Sequence, residues 1–257
     1  MPPSADWFKE FEFDLPRALL RDLVELLDGM GRAPLDTATV NARIPEEQGV
    51  YQLFLDDALV YVGKTDSDAG LNQRLGRHAK KIQQRHNLDP LRVSFKAVRI
   101  FVFTAVDLEQ QLIKHYATTS GAGLAWNNSG FGSNDPGRER DTTTLKDDHF
   151  DLLYPIDIDV PLGPSAAVGN FTVAEVLATL KDEVSYVVRY QNLGGRSRKP
   201  HADLEATRVD IPAGGHTARS VLRLVQAALG TDWQVTVQPG YLMIYKEHRP
   251  YPHAQPL

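Results

Sequence analysis

The stretch GVYQLFLDDALVYVG, residues 49–63, limits the fold more than any other part of the chain. Two short apolar and aromatic runs flank a pair of aspartates, a pattern that predicts two antiparallel strands joined by a tight turn. Each strand also combines a glycine with a tyrosine, Gly49 with Tyr51 and Gly63 with Tyr61. Because a glycine weakens a strand, we expect another group to approach the backbone closely at these positions.

The turn determines whether the two tyrosines share a face of the hairpin. Antiparallel neighbours lie on the same face, so Tyr51 faces Tyr61 if the strand pairing is centred on Asp56. That register requires an odd loop such as 55–57, whereas a two-residue turn at Asp56 and Asp57 would place the phenols on opposite faces. Since Asp-Asp lacks the glycine usual in the tightest turns, the sequence favours the odd loop.

The rest of the chain mixes helical and strand patterns. Apolar residues at helical spacing predict helices over 14–30 and 71–86. The apolar run 98–106 predicts a buried strand, and Thr104 and Asp107 have the spacing of a capping box for a further helix. This mixture indicates an α+β protein.

A polar, charge-mixed stretch at 138–151 interrupts the apolar pattern, and we expect the domain boundary there. The predicted organisation is an N-terminal helical segment over 1–45, a central domain over 46–142 and a C-terminal α+β domain over 150–257. Within the last of these, two segments follow the order strand, turn, helix, strand. Either duplication or chance explains that similarity.

The composition limits the cellular compartments that suit the protein, but it does not identify a binding partner. No apolar run approaches the roughly 20 residues needed to span a bilayer, and cysteine is absent, which excludes thiolate metal sites and fits a reducing compartment. We therefore predict a cytoplasmic protein with no membrane partner. The net charge of −5 argues against a general polycation, but a nucleic-acid partner depends on where the positive charge lies.

Positive charge is concentrated between residues 70 and 88, a stretch without a carboxylate. One interpretation is an ordinary solvated helix face, and the other is a helix that faces phosphates. A second basic segment, within 189–199, allows the same two interpretations. The candidate phosphate contacts of the two segments are Arg77, Lys80, Lys81, Arg85, Arg189, Arg196, Arg198 and Lys199.

Two further features have the spacing of a functional site. Arg74 and His78 are four residues apart, so they share one face of the predicted helix. Glu109 lies on an otherwise apolar stripe of the next predicted helix, and a carboxylate in such a place requires a metal ion or a cation as partner. The other members of that stripe are Val106, Ile113 and Tyr116.

The order of these residues resembles the GIY-YIG nuclease superfamily. The matching elements are GVY with Tyr51, YVG with Tyr61 and then Lys64, Leu71-x-x-Arg74-x-x-x-His78, Glu109, and Asn127 after Trp126. The stretches RHAKKIQQRHNLD and AWNNSGFGSNDPGRERD resemble a narrower branch, the type II restriction endonucleases that cut CCGCGG-like palindromes. The segment before Asn127 looks longer than in that branch, so Asn128 is an alternative match, and the chain from residue 150 onward aligns with nothing in it.

The resemblance implies a small antiparallel sheet flanked by helices, a catalytic domain over 46–142, and one Mg²⁺ or Mn²⁺ ion. It also implies hydrolysis of one DNA phosphodiester per active site. Glu109 would be the only protein ligand of the metal, which suits an ion that keeps most of its waters. Arg74 would hold the scissile phosphate and stabilise its developing charge.

The resemblance also assigns roles around the tyrosines. Tyr51 would accept the proton of the attacking water, and Tyr61 would orient that water or the phosphate. Because a phenol is a poor base at neutral pH, His78 and Lys64 would flank Tyr51 as positive charges that favour phenolate. Asn127 would hold the following loop and helix against the site.

The leading hypothesis is a type II restriction endonuclease that cuts a short palindrome in double-stranded DNA as a homodimer. A cognate DNA methyltransferase would belong to the same system. Two alternatives stay open: a GIY-YIG nuclease of repair, mobile-element or defence type, and a DNA-binding protein with the same fold but no catalysis. The C-terminal domain would recognise DNA or form the dimer.

Overall fold

The computed structural model describes residue 7 and residues 14–65, 69–101, 108–119, 123–133, 135, 137–163, 168–194, 197–255 and 257. It is an α+β protein, as the sequence predicts. The helices of the first half are α1 (Leu15–Gly29), α2 (Thr37–Arg43), α3 (Leu71–Lys81), α4 (Leu108–Thr119) and α5 (Phe150–Leu153). Its strands are β1 (Ala33–Pro34), β2 (Gly49–Leu55), β3 (Ala58–Thr65) and β4 (Val93–Arg99). Within the described residues, no helix combines the length and the apolar character needed to cross a membrane.

The four strands form one antiparallel sheet in the order β1-β4-β2-β3, so β3 lies at an edge. Helix α3 packs on one face, where Leu71 and Leu75 join the buried cluster that contains Tyr51 and Tyr61. Helices α1 and α4 cover the other face, where their leucines pack with Val50 and other residues of the sheet. The sheet therefore has a separate core on each side.

Helix α1 confirms the helix expected over 14–30. The side chain of Asp14 accepts a hydrogen bond from the backbone N–H of Arg17 at 3.0 Å, and a proline occupies the first turn, both of which favour a helix start. Leu23 and Leu27 are its buried residues. Its core-facing leucines thus follow the helical period read from the sequence.

Helix α3 is shorter than expected, since it ends at Lys81 rather than at residue 86. Gln84 and Asn87 adopt positive φ angles of 50° and 62°, which an α-helix does not allow. The backbone oxygen of Gln84 accepts a hydrogen bond from Asp157 N–H at 2.8 Å. The segment after α3 leaves the helix because its backbone binds the second half of the chain.

The β2–β3 hairpin has a two-residue turn, so the predicted odd loop is wrong. Leu55 pairs with Ala58, which leaves Asp56 and Asp57 as the turn. Asp56 takes a positive φ of 52°, a conformation that aspartate tolerates better than most residues. Arg92 binds both carboxylate oxygens of Asp56, at 2.9 and 2.5 Å. A side-chain contact from Arg92, the residue just before β4, thereby stabilises a turn that lacks the usual glycine.

A β-bulge follows the turn and restores the arrangement that the odd loop was expected to produce. Phe54 pairs with Leu59, but Leu53 pairs with Tyr61, so Val60 is the extra residue of β3. Because side chains alternate along a strand, one inserted residue exchanges the two faces for everything beyond it. The bulge therefore brings Tyr61 to the same face as the other tyrosine.

Of the strand expected over 98–106, residues 102–106 fall outside the described residues, and the described strand of this region begins earlier in the chain. Strand β4 runs from Val93 to Arg99, and Phe101 is 77% exposed rather than buried. Thr104 and Asp107, the expected capping box, fall outside the described residues. Within the described residues, Val98 and Arg99 are the part of the predicted run that pairs in the sheet.

The second half has two smaller sheets. Its strands and helices are β5 (Gly169–Thr172), α6 (Val173–Glu183), β6 (Val187–Tyr190), α7 (Ala202–Ala206), β7 (Arg208–Ile211), α8 (Ala218–Leu229), β8 (Gln234–Val237) and β9 (Tyr241–Tyr245). β5 pairs with β7 antiparallel, and β9 lies between β6, which is parallel to it, and antiparallel β8. The two segments compared in the sequence do both contain strand, helix and strand.

Two buried clusters meet near residue 155, and the described part of 1–45 packs with the first of them. Val40 of α2 is buried in the same cluster as Phe150, and Tyr154 packs against that cluster, whereas Ile156 belongs to the core of the second half. The polar stretch 138–151 is therefore no loose linker. Its polar residues contact both halves instead of continuing an apolar pattern, which is why the sequence suggested a boundary there.

Candidate active site

Tyr51 and Tyr61 lie side by side on the α3 face of the sheet, with ring centroids 6.0 Å apart and an interplanar angle of 29°. The glycines of the hairpin make room for this packing. A Cβ on Gly63 would lie 2.5 Å from the Tyr51 ring, and a Cβ on Gly49 would lie 2.7 Å from the side chain of Leu71 on α3. Gly63 thus leaves room for the phenol of Tyr51, and Gly49 leaves room for helix α3.

Helix α3 brings Arg74 and His78 to the tyrosines. The hydroxyl of Tyr51 lies 2.8 Å from Nε2 of His78 and accepts a hydrogen bond from Nε of Arg74 at 3.3 Å. Burial lowers the pKa of Arg74, but interactions with the hydroxyls of Tyr51 and Tyr61 outweigh burial and raise the pKa above its ordinary value. Both hydroxyls are thus directed toward Arg74.

The electrostatics of the cluster differ from the expectation of a phenolate between cations. Burial, followed by the neighbouring Tyr61, raises the pKa of Tyr51. Burial, together with the charges of Arg74, Lys81 and Arg77, holds the pKa of His78 well below its usual range. His78 is therefore neutral at neutral pH, and in the tautomer with the proton on Nδ1 its Nε2 accepts the hydrogen bond of the phenol.

Lys64 does not flank Tyr51 as the resemblance implied. Gly63 faces the Tyr51 ring, and Lys64 is the next residue of β3, paired with Val50. Since consecutive side chains of a strand point to opposite faces, Lys64 leaves the sheet on the side of α1 and α4. Lys64 is therefore close to Tyr61 along the chain, but its side chain lies on the face of the sheet opposite the tyrosines.

Asn127 ties the loop after α4 to the edge strand. Its side-chain amide accepts a hydrogen bond from Val62 N–H and donates one to Val62 C=O, both at 2.9 Å. The backbone N–H of Trp126 donates to Val60 C=O at 2.8 Å. Asn128 is exposed with φ of 62°. Of the two candidates, Asn127 is the residue that holds the loop against the site.

This loop also closes the site through two residues that the sequence did not single out. The ring of Phe131 stacks on His78 at 4.7 Å and 15°. The carbonyl of Gly132 accepts a hydrogen bond from Nη2 of Arg74 at 3.1 Å, and a Cβ on Gly132 would lie 2.4 Å from the hydroxyl of Tyr61. Tyr51 is fully buried beneath them. The aromatic residue between two glycines in SGFGS was the available signal.

Glu109 lies on α4, in its first turn, and is partly exposed. Of the expected stripe, Tyr116 is buried and Ile113 packs against the same core, while Val106 is outside the described residues. The other buried residues of α4 are Leu108 and Leu112. Helix α4 packs on the face of the sheet opposite Tyr51 and Tyr61. A carboxylate with solvent access suits Mg²⁺, which keeps several waters. Within the described residues, no three His, Asp or Glu side chains are grouped to hold a metal ion.

The basic residues of 70–88 do not form one surface. Arg77 and Lys80 are exposed, and Nζ of Lys81 donates to Gly130 C=O at 3.1 Å. Arg85 was expected to contact phosphate but is buried, where it binds Asp151 Oδ1 at 2.7 Å. Because Asp151 is distant in the chain, the absence of acids around Arg85 in the sequence was not informative.

The second basic segment is also divided. Arg189 binds both carboxylate oxygens of Asp141, at 3.2 and 2.6 Å, so it joins the second half to the loop beyond Asn127. Arg198 and Lys199 are exposed, and Arg196 lies outside the described residues.

Comparisons with known proteins add no assignment: no protein-family model matches the chain, and a search of curated proteins found no significant match.

Proposed function

We propose that the protein is a metal-dependent DNA endonuclease. The observation that supports this most directly is the hydrogen-bonded group of Tyr51, His78 and Arg74, with Tyr61 beside it on one sheet face. Hydrolysis of a phosphodiester needs a proton acceptor for water and a cation for the phosphate. A tyrosine–histidine pair next to an arginine offers both.

The proposed chemistry begins with proton transfer from the attacking water. Tyr51 takes the water proton while its own proton passes to Nε2 of His78, 2.8 Å away. This relay avoids a free phenolate, which the burial of Tyr51 disfavours. The imidazolium that it forms at His78, disfavoured in the free protein, is compensated by the negative charge of the bound phosphate. Water then forms the new P–O bond as the bond to the leaving sugar oxygen breaks, and Arg74 stabilises the negative charge that develops on the phosphate.

Glu109 is the residue proposed to hold Mg²⁺, or Mn²⁺ in its place. The ion when bound supplies positive charge to the phosphate and the leaving oxygen. The partly exposed carboxylate fits this role by its chemistry, as a hard oxygen ligand that leaves space for water.

Substrate entry requires a displacement of the loop. The carbonyl of Gly132 accepts a hydrogen bond from the guanidinium of Arg74, which is the group proposed to hold the phosphate. A phosphate oxygen is a stronger acceptor than a carbonyl because it is charged. We propose that the scissile phosphate replaces Gly132 at Arg74 and that Phe131 and Gly132 move away from the tyrosines.

The narrower proposal is a type II restriction endonuclease that acts in the cytoplasm on double-stranded DNA. Two copies would bind a palindrome, each cutting one strand, and a cognate methyltransferase would protect the host sites. Arg77, Lys80 and Lys81 on α3 are the proposed phosphate contacts next to the catalytic group.

Cleavage of plasmid DNA by the purified protein with Mg²⁺, followed by sequencing of the product ends, tests this proposal. We expect discrete bands and one short palindrome at the ends, and we expect Glu109→Gln to abolish cleavage while DNA binding persists. Glu25→Gln, which changes an exposed glutamate of α1, is the matched control. A smear with no common sequence would support the alternative of a nuclease without palindrome specificity. Binding without cleavage under all metal conditions would support the non-catalytic alternative.

A further inference from the structure

A cleft of about 420 Å³ lies between the two halves of the molecule. It is lined by α3, by the segment 130–151 and by the second half at 185–187 and 238–241. None of its residues belongs to the tyrosine group, although Gly130 and Ser133 flank the two loop residues that close that group. The cleft is therefore a separate feature that adjoins the proposed active site.

The acidic groups in the cleft are largely compensated by arginines. Asp151 is bound by Arg85 at 2.7 Å and Asp141 by Arg189 at 2.6 Å. Asp135 lies 3.5 Å from the same Arg189. Three carboxylates thus face two arginines, which leaves one net negative charge among these five residues.

The remaining charge in the cleft is positive. Arg77, Lys80 and Arg140 line it, are exposed, and form no ion pair with any described residue. Lys81 also lines the cleft, and its ammonium group is bound by the neutral carbonyl of Gly130. Burial, which outweighs the attraction of Asp151, lowers the pKa of Lys81. A negatively charged ligand here would compensate four cations.

A buried donor in the cleft requires an acceptor as well. Gln238 lines the cleft and is only 3% exposed, and its Nε2 is buried without a hydrogen-bond partner. Buried amide donors are nearly always paired in folded proteins. Cations together with an unpaired N–H donor match the oxygens of a phosphate group.

The position of the cleft relative to Arg74 indicates where such a phosphate comes from. Arg74 and Lys81 are seven residues apart on α3, which is about 10 Å along the helix axis. Along the duplex axis a DNA strand advances roughly 3.4 Å per nucleotide, so a duplex whose axis runs parallel to α3 covers this span in about three nucleotides. A strand with its scissile phosphate at Arg74 could therefore place a later phosphate in the cleft.

We infer that the cleft binds a backbone phosphate of DNA about three nucleotides from the cut, between α3, Arg140 and Gln238. This inference rests on the proposed nuclease function for its choice of DNA. It makes the second half of the chain part of the DNA-binding surface through its 238–241 turn, rather than through the basic segment near 198.

Binding of a fluorescent 20-base-pair duplex to the full chain, measured by anisotropy in Ca²⁺ over a range of salt concentrations, tests the inference. Arg140→Ala should weaken binding about three- to tenfold and reduce the salt slope by roughly 0.9, the value for one lost phosphate contact. Gln238→Leu should also weaken binding but leave the salt slope unchanged. Arg223→Ala, which removes an exposed arginine of α8 outside the cleft, should change neither quantity.

Thermal unfolding separates a binding role from a structural one. Since Gln238→Leu removes an unpaired buried donor, its melting temperature should be unchanged or higher while its DNA affinity falls. If Arg140→Ala does not fold, Lys80→Ala provides the same charge change at the cleft. Unchanged duplex affinity in folded Gln238→Leu and in a folded charge variant would overturn the inference.

The outcome can be read separately from that of the nuclease proposal. If the wild type never cuts but the cleft variants bind duplex more weakly, the nuclease proposal fails and the cleft inference stands. If the wild type cuts and the cleft variants bind normally, only the cleft inference fails. A deoxynucleoside 5′-monophosphate that binds in an Arg140-dependent way, with duplex binding unaffected by Arg140→Ala, would show that the cleft takes a free nucleotide and would overturn the assignment to DNA.

Discussion

The two faces of the β2–β3 hairpin are buried to the same degree but have different partners, polar on one face and apolar on the other. On the α3 face, Tyr51 and Tyr61 are 0% and 6% exposed, and their hydroxyls lie among Arg74 and His78. On the face covered by α1 and α4, Val50 and Val62 are both 0% exposed and contact a leucine-rich cluster. Burial alone therefore does not distinguish a core from a site; the polar partners do.

The two faces should also differ in what they contribute to stability. An apolar side chain removed from water contributes about 1.5–3 kcal/mol. A typical buried hydrogen bond contributes only about 0.5–1.5 kcal/mol net. Substitutions of the polar group on the α3 face should therefore affect cleavage more than folding, and substitutions in the apolar core of the other face should do the reverse.

The largest effect is expected for Arg74→Ala. Loss of the cation that faces the developing phosphate charge should reduce single-turnover cleavage at least 1,000-fold, which is about 4 kcal/mol of barrier. The free energy of unfolding should change by only about 1 kcal/mol, since the polar partners of Arg74 are Tyr51, Tyr61 and Gly132 and it forms no ion pair with a described residue. Cleavage kinetics and urea unfolding of the same preparation measure both quantities.

Leu112→Ala is the matched substitution on the other face. Leu112 is fully buried, and its truncation should lower the free energy of unfolding by about 2–5 kcal/mol while the folded fraction still cuts within about threefold of the wild type. Comparable losses of cleavage in both variants would mean that the two faces are not functionally distinct.

Two adjacent residues of β3 provide a finer comparison. Gly63→Ala would place a methyl group 2.5 Å from the Tyr51 ring, so we expect about 1–3 kcal/mol of destabilisation and at least tenfold slower cleavage. Lys64→Ala, on the opposite face, should leave cleavage within about threefold. A strong loss of activity in Lys64→Ala alone would restore the role that the family resemblance implied for this lysine.

The smallest expected effect is a pH dependence of stability. The folded-state pKa of His78 is well below its usual value, so between the two values the unfolded chain binds more protons than the folded chain. The contribution of His78 to the free energy of unfolding is therefore fully present above about pH 6.5. As the pH falls below that value, this contribution decreases by up to about 1.4 kcal/mol per pH unit.

Urea unfolding at pH 7.5 and 5.5 measures this loss. Burial also lowers the pKa of His149. The wild type should therefore lose stability through both histidines, whereas His78→Gln should lose stability through His149 only. Equal losses in the two proteins would place the charge-sensitive group elsewhere and remove the case for a neutral His78.

How far the sequence predicted the site depends on how local each feature is. The shared helical face of Arg74 and His78 follows from a spacing of four, and it was correct. The face of Lys64 required the strand register, and the partner of Arg85 lies 66 residues away at Asp151. Single-sequence patterns contain neither of these relations.

By itself, the sequence determined an α+β protein with a β-hairpin, an N-terminal helix and a helix that presents Arg74 and His78 together, because strand and helix periods are local properties. Only the tertiary structure decided that a bulge at Val60 brings Tyr61 to the face of Tyr51. It also decided that His78 is neutral and that the carbonyl of Gly132 is hydrogen-bonded to Arg74. The physical reason is that register shifts, loss of water and contacts between distant segments depend on the assembled chain, and no local pattern records them.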